Sequence, residues 1–289
     1  MTYGVNILFT LVMTMLTHVI NYDNVSSTVN SISIPESIPF EMVDGLMILK
    51  VPNGNSIDNF LFDTGAEHII INDEVTKGSF KVIGVDHTLE AREIKIERLN
   101  LGASSLHHID AWALDLNFLE DQLKVELKGV IGAQLLRDHS VLIDQEQSTI
   151  TFVDHSYNKY SLNKQYNVIS LDFEQDKDDL PVVKVLVEGK ELHLGFDTGA
   201  NVCVFDSKLA YSMSDSYDPG TDKRLLKNMR IQNCDIKDVP YIIKNLEDIN
   251  ANRVQKIDGI ISTNSLATKK IFIDSRRKKI FLLYDRVLS

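Results

Sequence analysis

Two aspartates, Asp63 and Asp197, each head the same short block, Asp-Thr-Gly-Ala, at residues 63–66 and 197–200. Each follows a phenylalanine, Phe62 or Phe196, at the end of an apolar run. Each leads into another run, Ile69-Ile70-Ile71 or Val202-Cys203-Val204-Phe205. The pattern reads as strand, tight turn, strand, with glycine where a Cβ would obstruct the turn. Two carboxylates carried face to face on matching turns cannot both stay ionised, so they share one proton. Such a pair can hold a water, take its proton as it attacks an amide carbonyl, and hydrogen-bond the developing oxyanion. Asp63 and Asp197 are therefore the expected catalytic pair. Thr64, Gly65, Ala66, Thr198, Gly199 and Ala200 are its expected support, the threonine hydroxyls fixing the neighbouring carboxylate. This chemistry calls for no metal or cofactor, and none is expected.

The elements that must position the pair also come twice. Leu46-Met47-Ile48-Leu49 and Val51 run to the turn Pro52-Asn53-Gly54-Asn55, after which Phe60-Leu61-Phe62 delivers Asp63. In the second half, Val182 to Val187 run to Glu188-Gly189-Lys190, and Leu192 to Phe196 deliver Asp197. The turn glycines are 135 apart (189 − 54) and the aspartates 134 (197 − 63), a register that indicates internal duplication. Downstream, Leu99–Ile109 matches Met229–Val239. Gly129-Val130-Ile131-Gly132 matches Gly259-Ile260-Ile261-Ser262, each leading into a short helical stretch, and Val141–Asp144 matches Ile271–Asp274. Many short strands between turn signals predict an all-β architecture. The expected divisions are a leader and tail at 1–37, a first lobe at 38–157, a linker at 158–166 and a second lobe at 167–289.

These residues resemble the aspartic peptidases of the retropepsin and pepsin superfamily, over roughly residues 40–153 and 168–285. Asp-Thr-Gly-Ala is the retroviral and bacterial form of the motif, and Val130-Ile131-Gly132 resembles the second signature that packs beneath each catalytic turn. The resemblance implies two similar retropepsin-like β-barrel lobes related by a pseudo-twofold axis, with the cleft between them. It implies an endopeptidase acting on a peptide or protein substrate as a monomer. Gly132 and Ser262 take the packing positions, although Ser262 stands where glycine is expected and threatens to loosen the second turn. A substrate-covering flap is expected from residues 77–97, with Gly78, Phe80 and Gly84 as candidates, while residues 210–226 are shorter and more polar. The rival reading is the same fold as a catalytically weakened peptide-binding module. Glycoside hydrolysis also uses two acids, but does not explain why both sit in the same turn.

Other features set bounds. The chain has 289 residues and a formal net charge of -11, a field that repels nucleic acid and anionic membranes. Val5 to Ile20 carry no charge and suit a signal-peptide core better than a membrane span, so export is expected, with no stable span after leader removal. Two cysteines, Cys203 and Cys234, do not make a disulfide framework. His107-His108 lacks a third metal ligand at usable spacing and reads as a solvated turn. Trp112 and Phe118 read as packing residues, and Glu67 and His68 are given no role.

Overall fold

The computed structural model describes residues 14–15, 37–75, 78, 80–83, 88–101, 104–137, 139–153, 166–175, 179–212, 215–217 and 224–285. Gly84, nearly all of the expected leader and almost the whole expected linker lie outside them. The described chain is predominantly β, with only two short α-helices, Asn117–Leu123 and Glu247–Asn250. Among the described residues no helix is long and apolar enough to cross a membrane.

Two hairpins deliver the aspartates. Leu46–Asn53 pairs antiparallel with Ser56–Asp63, and Pro181–Val187 with Lys190–Asp197. Their two-residue turns need left-handed backbone, supplied by Gly54 (φ 61°) in one and by Glu188 and Gly189 (φ 47° and 81°) in the other. Each delivering strand then runs parallel to a short inner strand, in a register that sets Asp63 opposite Gly132 and Asp197 opposite Ser262. The inner strand Gly129–Gly132 is also flanked by Ile70–Asn72, and Gly259–Ser262 by Cys203–Asp206. All eight inner-strand residues are buried. These central strands read as unbroken apolar runs because they bury both faces.

A third layer joins the two halves of the chain. Six antiparallel strands follow the order Ser37–Val43, Thr149–Val153, Ser140–Asp144, Lys270–Asp274, Lys279–Asp285, Tyr166–Gln175. At its middle Leu142 faces Phe272, and Val141 faces Ile273. The turns leaving both middle strands are closed by buried aspartates. Asp144 Oδ1 accepts the Gln147 N–H at 3.0 Å, and Asp274 Oδ1 the Arg277 N–H at 3.1 Å. One apolar cluster runs through this sheet from Ile38 and Phe62 to Phe196 and Leu282.

Two elements exceed the sequence reading. Thr88–Leu101 is one continuous 14-residue strand, paired along most of its length with Ser104–Leu114. The expected short strand near Leu99 is only its end. Helix Asn117–Leu123 buries Leu119 and Leu123 against Trp112 and Leu116, a spacing of three and four that marks its apolar side. The expected short helices are 3-10 turns, Ala133–Arg137 and Thr263–Leu266.

Candidate active site

The two Asp-Thr-Gly turns meet in the interior. Asp63, Thr64, Asp197 and Thr198 are all fully buried, although uncompensated charge is costly there. Each turn holds the other through its threonine. The Thr64 N–H donates to Thr198 Oγ1 at 2.9 Å, and the Thr198 N–H to Thr64 Oγ1 at 3.1 Å. The hydroxyls then donate outward across the same contact, Thr64 Oγ1 to the Phe196 carbonyl at 2.8 Å and Thr198 Oγ1 to the Phe62 carbonyl at 3.0 Å. Each hydroxyl thus acts as acceptor and donor at once, and both turns lose partners if either is removed.

Within each turn the carboxylate is pinned by its own backbone. Gly65 N–H donates to Asp63 Oδ1, and Gly199 N–H to Asp197 Oδ1, both at 2.7 Å. The glycines answer to space rather than dihedral angle, since neither lies at positive φ. A Cβ on Gly199 would stand 2.2 Å from the Asp63 carboxyl carbon, and one on Gly65 2.7 Å from Asp197 Oδ2. Each glycine is therefore the floor beneath the opposite carboxylate. The Oδ2 atoms of both aspartates are buried and receive no N–H or hydroxyl from the rest of the chain, which leaves only a proton shared between the two carboxyls to join them.

Burial pushes both carboxyls upward. Asp63 is held well above the ordinary carboxylate range by desolvation, then by the charge of Asp197 and a hydrogen bond shared with it. Desolvation raises Asp197 to about 6, opposed by hydrogen bonds from the Asp63 side chain and from backbone N–H groups including Gly199. The pair gives up a first proton near pH 6 and holds the second to higher pH.

The packing positions beneath the turns are filled differently. A Cβ on Gly132 would stand 2.2 Å from the His68 carbonyl oxygen and 2.5 Å from that of Ala66, so only glycine fits. Ser262 fits because its Oγ donates to the Ala200 carbonyl at 2.6 Å. The expected loosening is not seen, since the Gly199–Asp197 bond equals its counterpart in the first turn.

Of the flap candidates, Gly78 and Phe80 both lie against Ala91. Phe80 opens a strand that pairs with Thr88–Ala91, and its ring meets Trp112 edge-on at 5.1 Å. A Cβ on Gly78 would touch the Ala91 backbone at 2.7 Å. The outer edge of the Phe80–Ile83 strand pairs with Thr14–Met15. Trp112 is buried, and its ring lies 4.1 Å from that of His68, whose Nε2 is 3.4 Å from Glu67. Cys203 and Cys234 are free thiols, and burial pushes the Cys203 thiol up.

The sequence reading missed the contacts by which each half's first turn reaches the other half. Asn201 Nδ2 donates to the Asp44 carbonyl at 3.4 Å, and Asn264 Nδ2 to the Gly45 carbonyl. Opposite, Arg137 pairs with Asp179.

No family model and no curated protein matches the chain. Solved structures do match, 394 chains of them, so the architecture is a populated one. Basic 7S globulin from soybean, a protein of pepsin-like fold, superposes with a TM-score of 0.52 at 10% identity over 89% of this chain and 95% of that one. A likeness at that identity shows a shared fold and carries no activity.

Proposed function

We propose that the chain is an aspartic endopeptidase, hydrolysing peptide bonds with a water activated between Asp63 and Asp197. The observation that carries this reading is the reciprocal threonine bonding, which holds two fully buried carboxyls opposite each other. A fold needing only buried turns would gain nothing from two carboxyls that desolvate and repel one another. In the singly protonated pair, Asp63 keeps the proton and hydrogen-bonds the substrate carbonyl. Ionised Asp197 takes a proton from the attacking water. The carbonyl carbon gains the new C–O bond, and the proton then passes to the leaving amine as the C–N bond breaks. The unpartnered Oδ2 atoms are the positions where water and carbonyl would be held.

We read the architecture as two lobes related by a pseudo-twofold axis passing between Leu142 and Phe272. Counterparts in the repeat facing one another in an antiparallel pair support this. The extended substrate lies between the lobes, and the uncharged amino-terminal run directs export. The test is digestion of a peptide library from about pH 3 to about pH 8 beside Asp63→Asn and Asp197→Asn. Cleavage by the natural chain that disappears in both variants supports the reading.

A second reading is a peptide-binding module of the same fold. The fold alone does not decide between the two, since basic 7S globulin shares it under a name that states no peptidase activity. Peptide capture without turnover at any pH in that digest would decide for the module.

A further inference from the structure

We propose that Ser262 is a positioning residue for Asp197, its hydroxyl holding the second catalytic turn in place of a backbone hydrogen bond used by the first. This rests on the peptidase reading for its meaning, but the geometry stands independently of turnover. In the first turn, the Ala66 carbonyl accepts the Ala133 N–H at 2.7 Å. That bond needs the two backbones so close that only Gly132 fits between them. In the second turn, the corresponding carbonyl, Ala200, accepts the Ser262 hydroxyl at 2.6 Å instead. Ser262 is fully buried, its Oγ also accepts the Asn264 N–H at 3.3 Å, and its own N–H meets Cys203 Sγ at 3.5 Å. Cys203 in turn contacts Ser265 Oγ at 3.3 Å. A polar chain, Ala200–Ser262–Cys203–Ser265, thus lies under the second carboxylate where the first has Gly132 and Ile69.

The hydroxyl acts through one carbonyl. Ala200 is the last residue of the turn, and its N–H and that of Gly199 both stabilise ionised Asp197. With its carbonyl released, Ala200 is free to turn about its own φ and ψ, which loosens the neighbouring Gly199–Ala200 peptide that carries its N–H and weakens that N–H's bond to the carboxylate. The ionised form of Asp197 is then less favoured. An unserved buried carbonyl also disfavours the turn itself.

The experiment follows the side-chain carboxyl of Asp197 by carbon NMR across a pH titration in the full chain, without substrate. Ser262→Ala should move the midpoint upward by about half a pH unit, a roughly threefold change in proton affinity. Ser262→Thr, which keeps the hydroxyl, should retain the natural midpoint, as should Ser265→Ala, which breaks the polar chain beyond Cys203. An unmoved midpoint in Ser262→Ala, or an equal movement in Ser265→Ala or Ser262→Thr, overturns the assignment. Should Ser262→Ala not fold, Ser262→Gly is read the same way, because it too lacks the hydroxyl. A chain that cuts no peptide can pass or fail this test, which separates it from failure of the peptidase reading. If the chain does cut, Ser262→Ala should lower kcat with KM unchanged, since the turn serves the reacting groups alone.

Discussion

Replacing both aspartates by asparagine gives a sharp reading of the buried pair, because the substitution keeps shape and removes titration. Unfolded, each carboxyl ionises near its ordinary value of 3.8, whereas in the folded chain Asp197 keeps its proton to about pH 6. Between those values the folded state binds the extra proton. The stability Asp197 contributes is therefore complete below about pH 4 and is lost as pH rises through about 6. At about 1.4 kcal/mol per tenfold change in proton affinity, a rise from 3.8 to about 6 is worth about 3 kcal/mol. Asp63, also raised, adds to the loss at higher pH. Urea unfolding of the natural chain and of the Asp63→Asn, Asp197→Asn double variant, at steps from about pH 4 to about pH 7, should show the variant gaining by at least about 3 kcal/mol relative to the natural chain. All other titrating groups cancel in that difference. A flat difference curve, or one favouring the natural chain as pH rises, would refute the claim that desolvation dominates this pair.

The same pair sets the pH dependence of the proposed activity. Cleavage should rise as pH increases through about 6, where the first proton leaves, and fall again as Asp63 ionises; a kcat/KM profile already declining from pH 4 would contradict it. Gly199→Ala should abolish cleavage while the chain stays folded by circular dichroism, because the new Cβ falls 2.2 Å from the Asp63 carboxyl carbon. Thr64→Val strands the Thr198 N–H and the Phe196 carbonyl, which should cost roughly 2–6 kcal/mol in urea unfolding. Thr64→Ser keeps both bonds and should cost far less; equal losses would point to packing rather than to the hydroxyl.

Much of the path to the site was legible because local signals and tertiary demands coincide there. Phe60-Leu61-Phe62 and Leu192 to Phe196 are buried runs bounded by glycine turns, and they become the strands that end in Asp63 and Asp197. The all-β expectation holds for the same reason. The strand Thr88–Leu101 was hidden because its apolar alternation slips phase twice, at the adjacent charged residues Arg92-Glu93 and Glu97-Arg98, so no single period runs its length. The Asn117–Leu123 helix lacks a side-chain cap to announce its start. The role of Ser262 was not legible because a one-residue comparison with Gly132 cannot show that the hydroxyl finds a carbonyl in a turn 62 positions away. The Asn201 and Asn264 contacts join segments more than 150 residues apart, and no local pattern encodes such a meeting.

The middle of the six-stranded layer has a consequence for the chain's two halves taken apart. Leu142 faces Phe272 across a ladder that runs from Val141 to Asp144. Severed from the second half, Ser140–Asp144 would present a bare hydrogen-bonding edge flanked by buried isoleucine and valine. An antiparallel edge centred on one residue is complementary to itself, so two copies of the isolated first half can close on each other through Leu142. Such a homodimer would bring two Asp63 turns together, each offering its Thr64 to the other, as Thr64 and Thr198 do in the intact chain.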